Sequence, residues 1–295
     1  MLNSIEYGDD FGCKDFKEVK WKEGEKQNPR QRKYPTYEKN GFVYIWIHAN
    51  PDQKPYFMPL NNEEWIKKWS NRGHTIHDIN CHVQDIPENG ADTFHFRYVH
   101  KYLIGRYKLM EVSWTPQWMR GDDPNLPSLF EHRFKNIRAF KQDIYQKIIK
   151  PIENKQYYSF GNADNFLHLP LLGPVFLFNI TIIQMGPGLV NVYFKTHFFE
   201  MVFLQYVQSE ARFFHKLYHE MFCSSWLPYW LTSIMLYAEG MQVYYDMLVW
   251  DAKRVSYKLF YKDNDADKFI RSWRGWFSQH YDGCDAQLHP APHDW

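Results

Sequence analysis

Two long apolar stretches set the limits on what this chain can fold into. Leu169 to Phe194 and Phe222 to Val249 are each long enough to be mistaken for a membrane span, yet neither runs unbroken. The first contains Pro170, Asn179, Gln184 and a Gly186-Pro187-Gly188 turn; the second contains Pro228, Glu239 and Asp246. A spanning helix needs about 20 continuous apolar residues, because lipid satisfies no freed backbone group. Both stretches are therefore expected to be the core of a soluble domain, with a peripheral membrane contact left open. The acidic, polar opening MLNSIEYGDDFG lacks the basic and apolar regions of a secretory signal.

Between and around these stretches the pattern alternates between periods. Residues 1–33 read as a charged, solvated linker. Phe42 to Ile47 alternates β-branched and aromatic residues behind Asn40-Gly41, a strong hairpin signal. Residues 62–72 fit a short amphipathic helix, and 74–86 a strand stopped by Pro87. Residues 88–107 fit a helix starting near Glu88 or Asn89. A Pro-rich loop, GDDPNLPS, precedes an alternating segment over 132–148. Strands are expected near 165–168, 175–185, 189–196 and 199–207. A long helical region follows over 208–253, punctuated at Pro228, and the tail DADKFIRSWRGWFSQHYD has helical spacing. The resulting class is α+β, an antiparallel sheet with long helices laid against it.

Charge and composition narrow the function. The 295 residues carry 35 basic and 34 acidic side chains for a net charge of +1, with no long basic run, which argues against nucleic-acid binding. Aromatic residues make up 19% of the chain, enough either for a bulky core or for the lining of a large, flat, apolar ligand. Four cysteines (Cys13, Cys81, Cys223, Cys284) lie far apart with no zinc-finger spacing, as expected of unpaired thiols in a reducing compartment.

One constellation carries chemistry. In Asn89-Gly-Ala-Asp92-Thr-Phe-His95-Phe-Arg-Tyr-Val-His100, a helical turn of about 100° per residue places Asp92, His95 and His100 within roughly 140° of one another. Two imidazoles on one face suit iron, zinc or copper, and two histidines with one carboxylate form the facial triad of non-haem Fe(II) oxygenases. The plain alternative is a surface helix decorated with histidines. A third ligand must be an acid in apolar surroundings, where its desolvation needs a cation or hydrogen bonds to offset it. Asp246, within VYYDMLVW, fits best, and Glu239 is the competitor. His215 and His219 share a metal-capable i,i+4 spacing if helical, but no HExxH frame accompanies them.

At these residues the chain resembles a known family. NCHVQDIPENGADTFHFRYVH is similar to the iron-binding stretch of Rieske-type non-haem iron oxygenases, and within them most like the cholesterol 7-desaturase (Neverland-type) group, with ketosteroid 9α-hydroxylases as cousins. RKYPTYEKNGFVYIWIHA resembles the strand leading out of the Rieske domain, IIQMGPGLVNVYF a pair of catalytic-domain strands, and YYDMLVWDAKR and RSWRGWFSQHYD the last-ligand helix and the C-terminal helix. The resemblance runs from about Tyr34 to Tyr281. It implies a helix-grip, START-like fold: an antiparallel sheet wrapped on long helices. It also implies a mononuclear Fe(2+) held by His95, His100 and Asp246. Asp92 would accept a hydrogen bond from a ligand histidine and pass electrons from a neighbouring subunit's cluster, and Asn89 would stand near the iron. The implied reaction is O2- and NAD(P)H-dependent 7,8-desaturation of cholesterol to 7-dehydrocholesterol, fed by a reductase or a separate Rieske component. The resemblance further implies a homotrimer that is intracellular and membrane-associated, at the endoplasmic reticulum or in the cytoplasm.

The departure from the family is as definite as the match. A Rieske [2Fe-2S] cluster needs Cys-x-His and Cys-x-x-His, and neither pattern occurs in these 295 residues. The expected division is residues 1–50 as the end of a Rieske domain with its linker and 51–295 as the catalytic domain. A fragment is expected, ahead of a split protein or a decayed paralogue, and this chain alone is expected to be inactive. Two other functions fit the residues: ketosteroid hydroxylation, and a non-catalytic START-like sterol-binding module.

Overall fold

An Asn-Gly pair makes the first turn of the structure, a computed structural model that describes residues 33–48, 50, 52–103, 110–169, 171–211, 213–253 and 265–280. Strands β1 (Thr36–Lys39) and β2 (Phe42–Ile45) pair antiparallel across it. Asn40 (φ 57°) and Gly41 (φ 81°) both adopt left-handed backbone, which the two-residue hairpin requires and these two residue types tolerate. The buried Asn40 side chain also pins the hairpin to the main body. Its Nδ2 donates to the Leu60 carbonyl at 2.8 Å, and its Oδ1 accepts the Asn62 backbone N–H at 2.8 Å. The charged linker predicted before residue 33, together with Cys13 and Cys284, lies outside the described residues. Cys81 and Cys223 are buried and unpaired.

The main sheet is antiparallel throughout. Its strands are β3 (Trp69–Ile79), β4 (Glu111–Ser113), β5 (Pro116–Arg120), β6 (Tyr158–Leu169), β7 (Gly173–Met185), β8 (Leu189–Thr196), β9 (Glu200–Ala211) and β10 (Phe214–Ser224). Their order is β3-β10-β9-β8-β7-β6-β4, with β5 also pairing with β6. The Gly186-Pro187-Gly188 turn joins β7 to β8 as expected, with Gly186 at φ 55°. Period-two alternation divides the core between two faces. Tyr193, Val202, Leu204 and Phe222 point to one side, where Phe140 and Ile144 of helix α4 (Lys135–Ile144) meet them. Val192, Met201, Phe203 and Met221 point to the other, toward the long helix α5 (Tyr229–Ala252). The class is the expected mixture of a large antiparallel sheet and helices.

Several local expectations are overturned. The helix predicted over 62–72 is one turn, α1 (Glu63–Ile66), because Trp69 already begins β3. The strand predicted over 74–86 ends at Ile79, and residues 85–88 form a one-turn helix, α2 (Asp85–Glu88), with Pro87 inside its first turn, where no N–H is needed. Over its described residues, 88–103, the helix predicted over 88–107 is broken, leaving one turn, α3 (His95–Tyr98), after a non-helical stretch; residues 104–107 lie outside the described residues. The segment 132–148, predicted to alternate, is α4 running into a wider π-type turn over Tyr145–Ile149. The long helix predicted over 208–253 begins only at Tyr229, with Pro228 capping it; residues 214–224 are strand β10. The C-terminal helix α6 (Asp265–Phe277) stands where predicted. Among the described residues no helix is long and apolar enough to cross a membrane.

The segment that carries the candidate ligands is braced from below. Ala91 is fully buried against Trp273, Trp276 and Phe277 of α6 and Trp118 of β5. Glu88 is also buried, and Arg274 of α6 holds it by two hydrogen bonds of 2.6 Å, from Nε and Nη2. Lys253, just past α5, pairs with Asp85. A bidentate guanidinium–carboxylate pair is among the stronger polar contacts in proteins, so α2 is fixed to both long helices before the chain reaches His95.

Candidate metal centre

The broken helix does not separate the predicted ligands; it brings them together. One carboxylate oxygen of Asp92 accepts the backbone N–H groups of Phe94 (3.2 Å) and His95 (3.1 Å), an Asx-type turn that leads into the short helix starting at His95. His100 follows two residues after α3, and its ring centre lies 4.9 Å from that of His95. Asp246, on the face of α5 turned to the sheet, completes the group. Its Oδ1 is 3.1 Å from His100 Nε2 and 3.9 Å from His95 Nε2. One ligand-capable atom from each of the three lies within 4.8 Å of the others, the one such cluster of three or more among the described residues.

Hydrogen bonds on the far side of each ring determine what that cluster can hold. His95 Nδ1 pairs with the backbone carbonyl of Asp92, which can only accept. His100 Nδ1 lies 2.8 Å from Gln242 Oε1, while Gln242 Nε2 donates to the carbonyls of Tyr102 (3.2 Å) and Leu103 (2.8 Å). The amide orientation is thereby set, and the Nδ1–H of His100 must donate to it. Both neutral imidazoles then turn an Nε2 lone pair toward a carboxylate. Burial, followed by the neighbouring His100, pushes the His95 pKa down and favours the neutral ring. Two lone pairs and an anion facing one point repel unless a cation lies between them, so the donor set fits a divalent metal.

The second-sphere contacts differ in part from expectation. The hydrogen bond from a ligand histidine goes to the main-chain oxygen of Asp92, while one oxygen of its carboxylate accepts two backbone N–H groups. Asn89, at the end of α2, lines the cavity beside the cluster. Glu239 stands apart from the triad and pairs with His219 instead. His215 and His219 do not form a helical pair: both lie on β10, and His215 Nε2 donates to the Cys81 carbonyl at 3.0 Å. Gln242 is the contributor that the sequence leaves unmarked. Its position, one turn before Asp246 on the same helix face, is the only signal for it.

Beside the cluster opens a cavity of about 340 Å³ between the sheet and α5, within the size of small-molecule sites. Its wall is largely apolar, with Phe96, Trp114, Phe178, Phe194 and Phe203 among its rings. Trp114 also donates its indole N–H to the His100 carbonyl at 2.9 Å, tying the wall to the ligand loop. Helix α5 contributes Met235, Ala238, Glu239, Gln242, Val243 and Asp246, a stripe at helical spacing.

The chain is similar to several known proteins. Residues 45–155 match the family model described as 3-ketosteroid 9alpha-hydroxylase C-terminal domain. Cholesterol 7-desaturase nvd 1 of Ciona intestinalis is 26% identical over 252 residues, covering 85% of this chain and 49% of the relative. The cholesterol 7-desaturase nvd of Xenopus laevis is 27% identical, covering 86% and 52%, and that of Drosophila melanogaster is 27% identical, covering 85% and 53%. The chain thus spans about half the length of these relatives. In fold it is similar to dicamba monooxygenase bound to 3,6-dichlorosalicylic acid, with a TM-score of 0.55 at 8% identity over 84% of this chain and 69% of that one.

Proposed function

We propose that the chain belongs to the Rieske oxygenase family, as a relative of the cholesterol 7-desaturases it resembles, and that it is the catalytic portion of a sterol-oxidising oxygenase. Members of this family are oxidoreductases. The observation that carries the reading is the convergence of His95, His100 and Asp246 at the wall of an apolar cavity, with both rings held in the ligand tautomer. These residues would hold one Fe(2+), leaving positions open for O2 and substrate. When bound, the iron supplies reductive activation of O2 for removing hydrogen from an unactivated carbon.

The chain's own residues do the rest. Gln242 and the Asp92 carbonyl keep Nδ1 protonated and Nε2 free on each ring. The aromatic wall excludes water and holds a flat ring system against the cluster, while Asn89 offers an amide at the same wall. Asp92 shapes the ligand turn and, on this reading, lies on the path by which electrons arrive. The proposed reaction is 7,8-desaturation of cholesterol, with NAD(P)H as the ultimate electron source through a reductase or Rieske component. The same proposal includes a helix-grip fold, catalytic residues 51–295, a homotrimer and a membrane-associated intracellular setting. Without an electron donor the chain is expected to bind iron and sterol but not to turn over. Purified protein should load one iron per chain and lose it in His95→Ala; iron retained in that variant, or none in the parent, would refute the assignment.

A further inference from the structure

A second polar station lies in the same apolar cavity, and nothing in the metal centre uses it. His219 of β10 is 2% exposed and lines the cavity. Its Nδ1 pairs with Glu239 Oε1 from α5, and Thr75 Oγ1 of β3 donates to the other Glu239 oxygen at 3.4 Å. The far ring atom, His219 Nε2, is buried and has no hydrogen-bond partner. Gln205 stands directly opposite His219 on β9 and lines the cavity as well. Native proteins rarely leave a buried polar atom unpaired, since its desolvation is then offset by no bond. The unpaired nitrogen of a histidine that lines this largely apolar cavity is therefore a place where a ligand completes the bonding.

Chemistry selects the group. With Nδ1–H committed to a carboxylate, a neutral ring offers Nε2 as an acceptor, and a protonated ring offers it as a donor. A hydroxyl fits both cases, whereas a carbonyl or ether fits only the second. A ligand with several polar groups would leave the others unmatched along the aromatic walls. Glu239 and Asp246 are seven residues apart on α5, so the two stations are about 10 Å apart along the helix. Two fused rings with a hydrogen bond at one end fill such a span.

We infer that the His219–Glu239 pair anchors the single hydroxyl of an elongated apolar ligand, presenting a carbon two rings away to the His95–His100–Asp246 cluster. The inference rests on the reading of the cavity as a sterol site and adds the residues that orient the sterol in it. His219 is a positioning residue here: it sets which carbon faces the cluster.

The test compares equilibrium binding of cholesterol and its 3-deoxy analogue, cholest-5-ene, to the 295-residue chain by displacement of a fluorescent sterol. The parent should prefer cholesterol about tenfold, the worth of one well-made buried hydrogen bond. In His219→Leu combined with Glu239→Gln, which strands no carboxylate, the preference should fall to about one while cholest-5-ene binds as before. His219→Gln, which keeps a polar atom in place, should recover part of the preference, and His100→Ala should leave it whole. Equal binding of the two sterols by the parent, or a preference that survives in the double variant, overturns the anchor and leaves the sterol cavity standing. Failure to bind either sterol overturns the anchor and the proposed function together.

Discussion

The cavity holds two histidine–carboxylate stations that differ in which ring nitrogen faces the acid. At one end, Asp246 faces the Nε2 atoms of His95 and His100, while the Nδ1 protons are bound on the outside. At the other, Glu239 faces His219 Nδ1, and Nε2 is left without a hydrogen-bond partner. The first arrangement gathers lone pairs and calls for a cation. The second already satisfies its carboxylate and calls for a hydroxyl. The residue types alone are nearly the same; the hydrogen bonds behind each ring decide the chemistry.

The largest effect separates the two acids. Asp246→Asn should abolish iron loading measured by metal analysis, and Glu239→Gln should leave it at one per chain; loss of iron in both would erase the distinction. A third kind of histidine serves as the control. The half-buried His280 packs among Tyr56, Tyr157, Trp276 and Phe277 with no carboxylate paired to it among the described residues, and desolvation pushes its pKa down to about 4. The unfolded chain, with a histidine near its ordinary value of about 6.5, takes up the proton first as pH falls. The stability this neutral ring supplies is complete above pH ~6.5, drains away between there and about 4, and levels off below, a loss of about 2–3 kcal/mol. Urea midpoints of the parent measured against His280→Phe across that window should converge toward acid; parallel curves would count against it. The smallest effect is on the support of the triad. Gln242→Leu should weaken iron binding about ten- to a hundredfold without changing the preference for a hydroxylated sterol.

The two stations also differ in how legible they were. The triad is marked by an Asp-x-x-His-x-x-x-x-His spacing and an acid in apolar surroundings, so its members can be named from sequence. Yet the helix that the spacing assumes does not exist: Asp92 turns the chain into a single helical turn, and the chain fold brings the rings together. The dyad is hidden because large apolar residues stand on both faces of β10, Leu217 and Met221 on one and Phe214, Tyr218 and Phe222 on the other, which blurs the period-two signal and lets the segment pass for helix. In α4 the helical period was present, at Ile137, Phe140, Ile144 and Ile148 with mostly charged and amide residues between them, and the alternating expectation passed over it. The β1–β2 hairpin, the Gly186-Pro187-Gly188 turn and α6 were readable because each rests on local backbone or strong amphipathic spacing. Gln242 was not, because an amide on a helix face announces nothing until its partners are placed.

The central claim is that the Nε2 atoms of His95 and His100 and the carboxylate of Asp246 form one open-sided ferrous site. The most direct measurement is electron paramagnetic resonance of the anaerobic, Fe(II)-loaded chain exposed to nitric oxide. The account predicts one ferrous–nitrosyl signal per chain, absent in His100→Ala. No signal from the iron-loaded parent, or zinc bound so that iron cannot displace it, would contradict it.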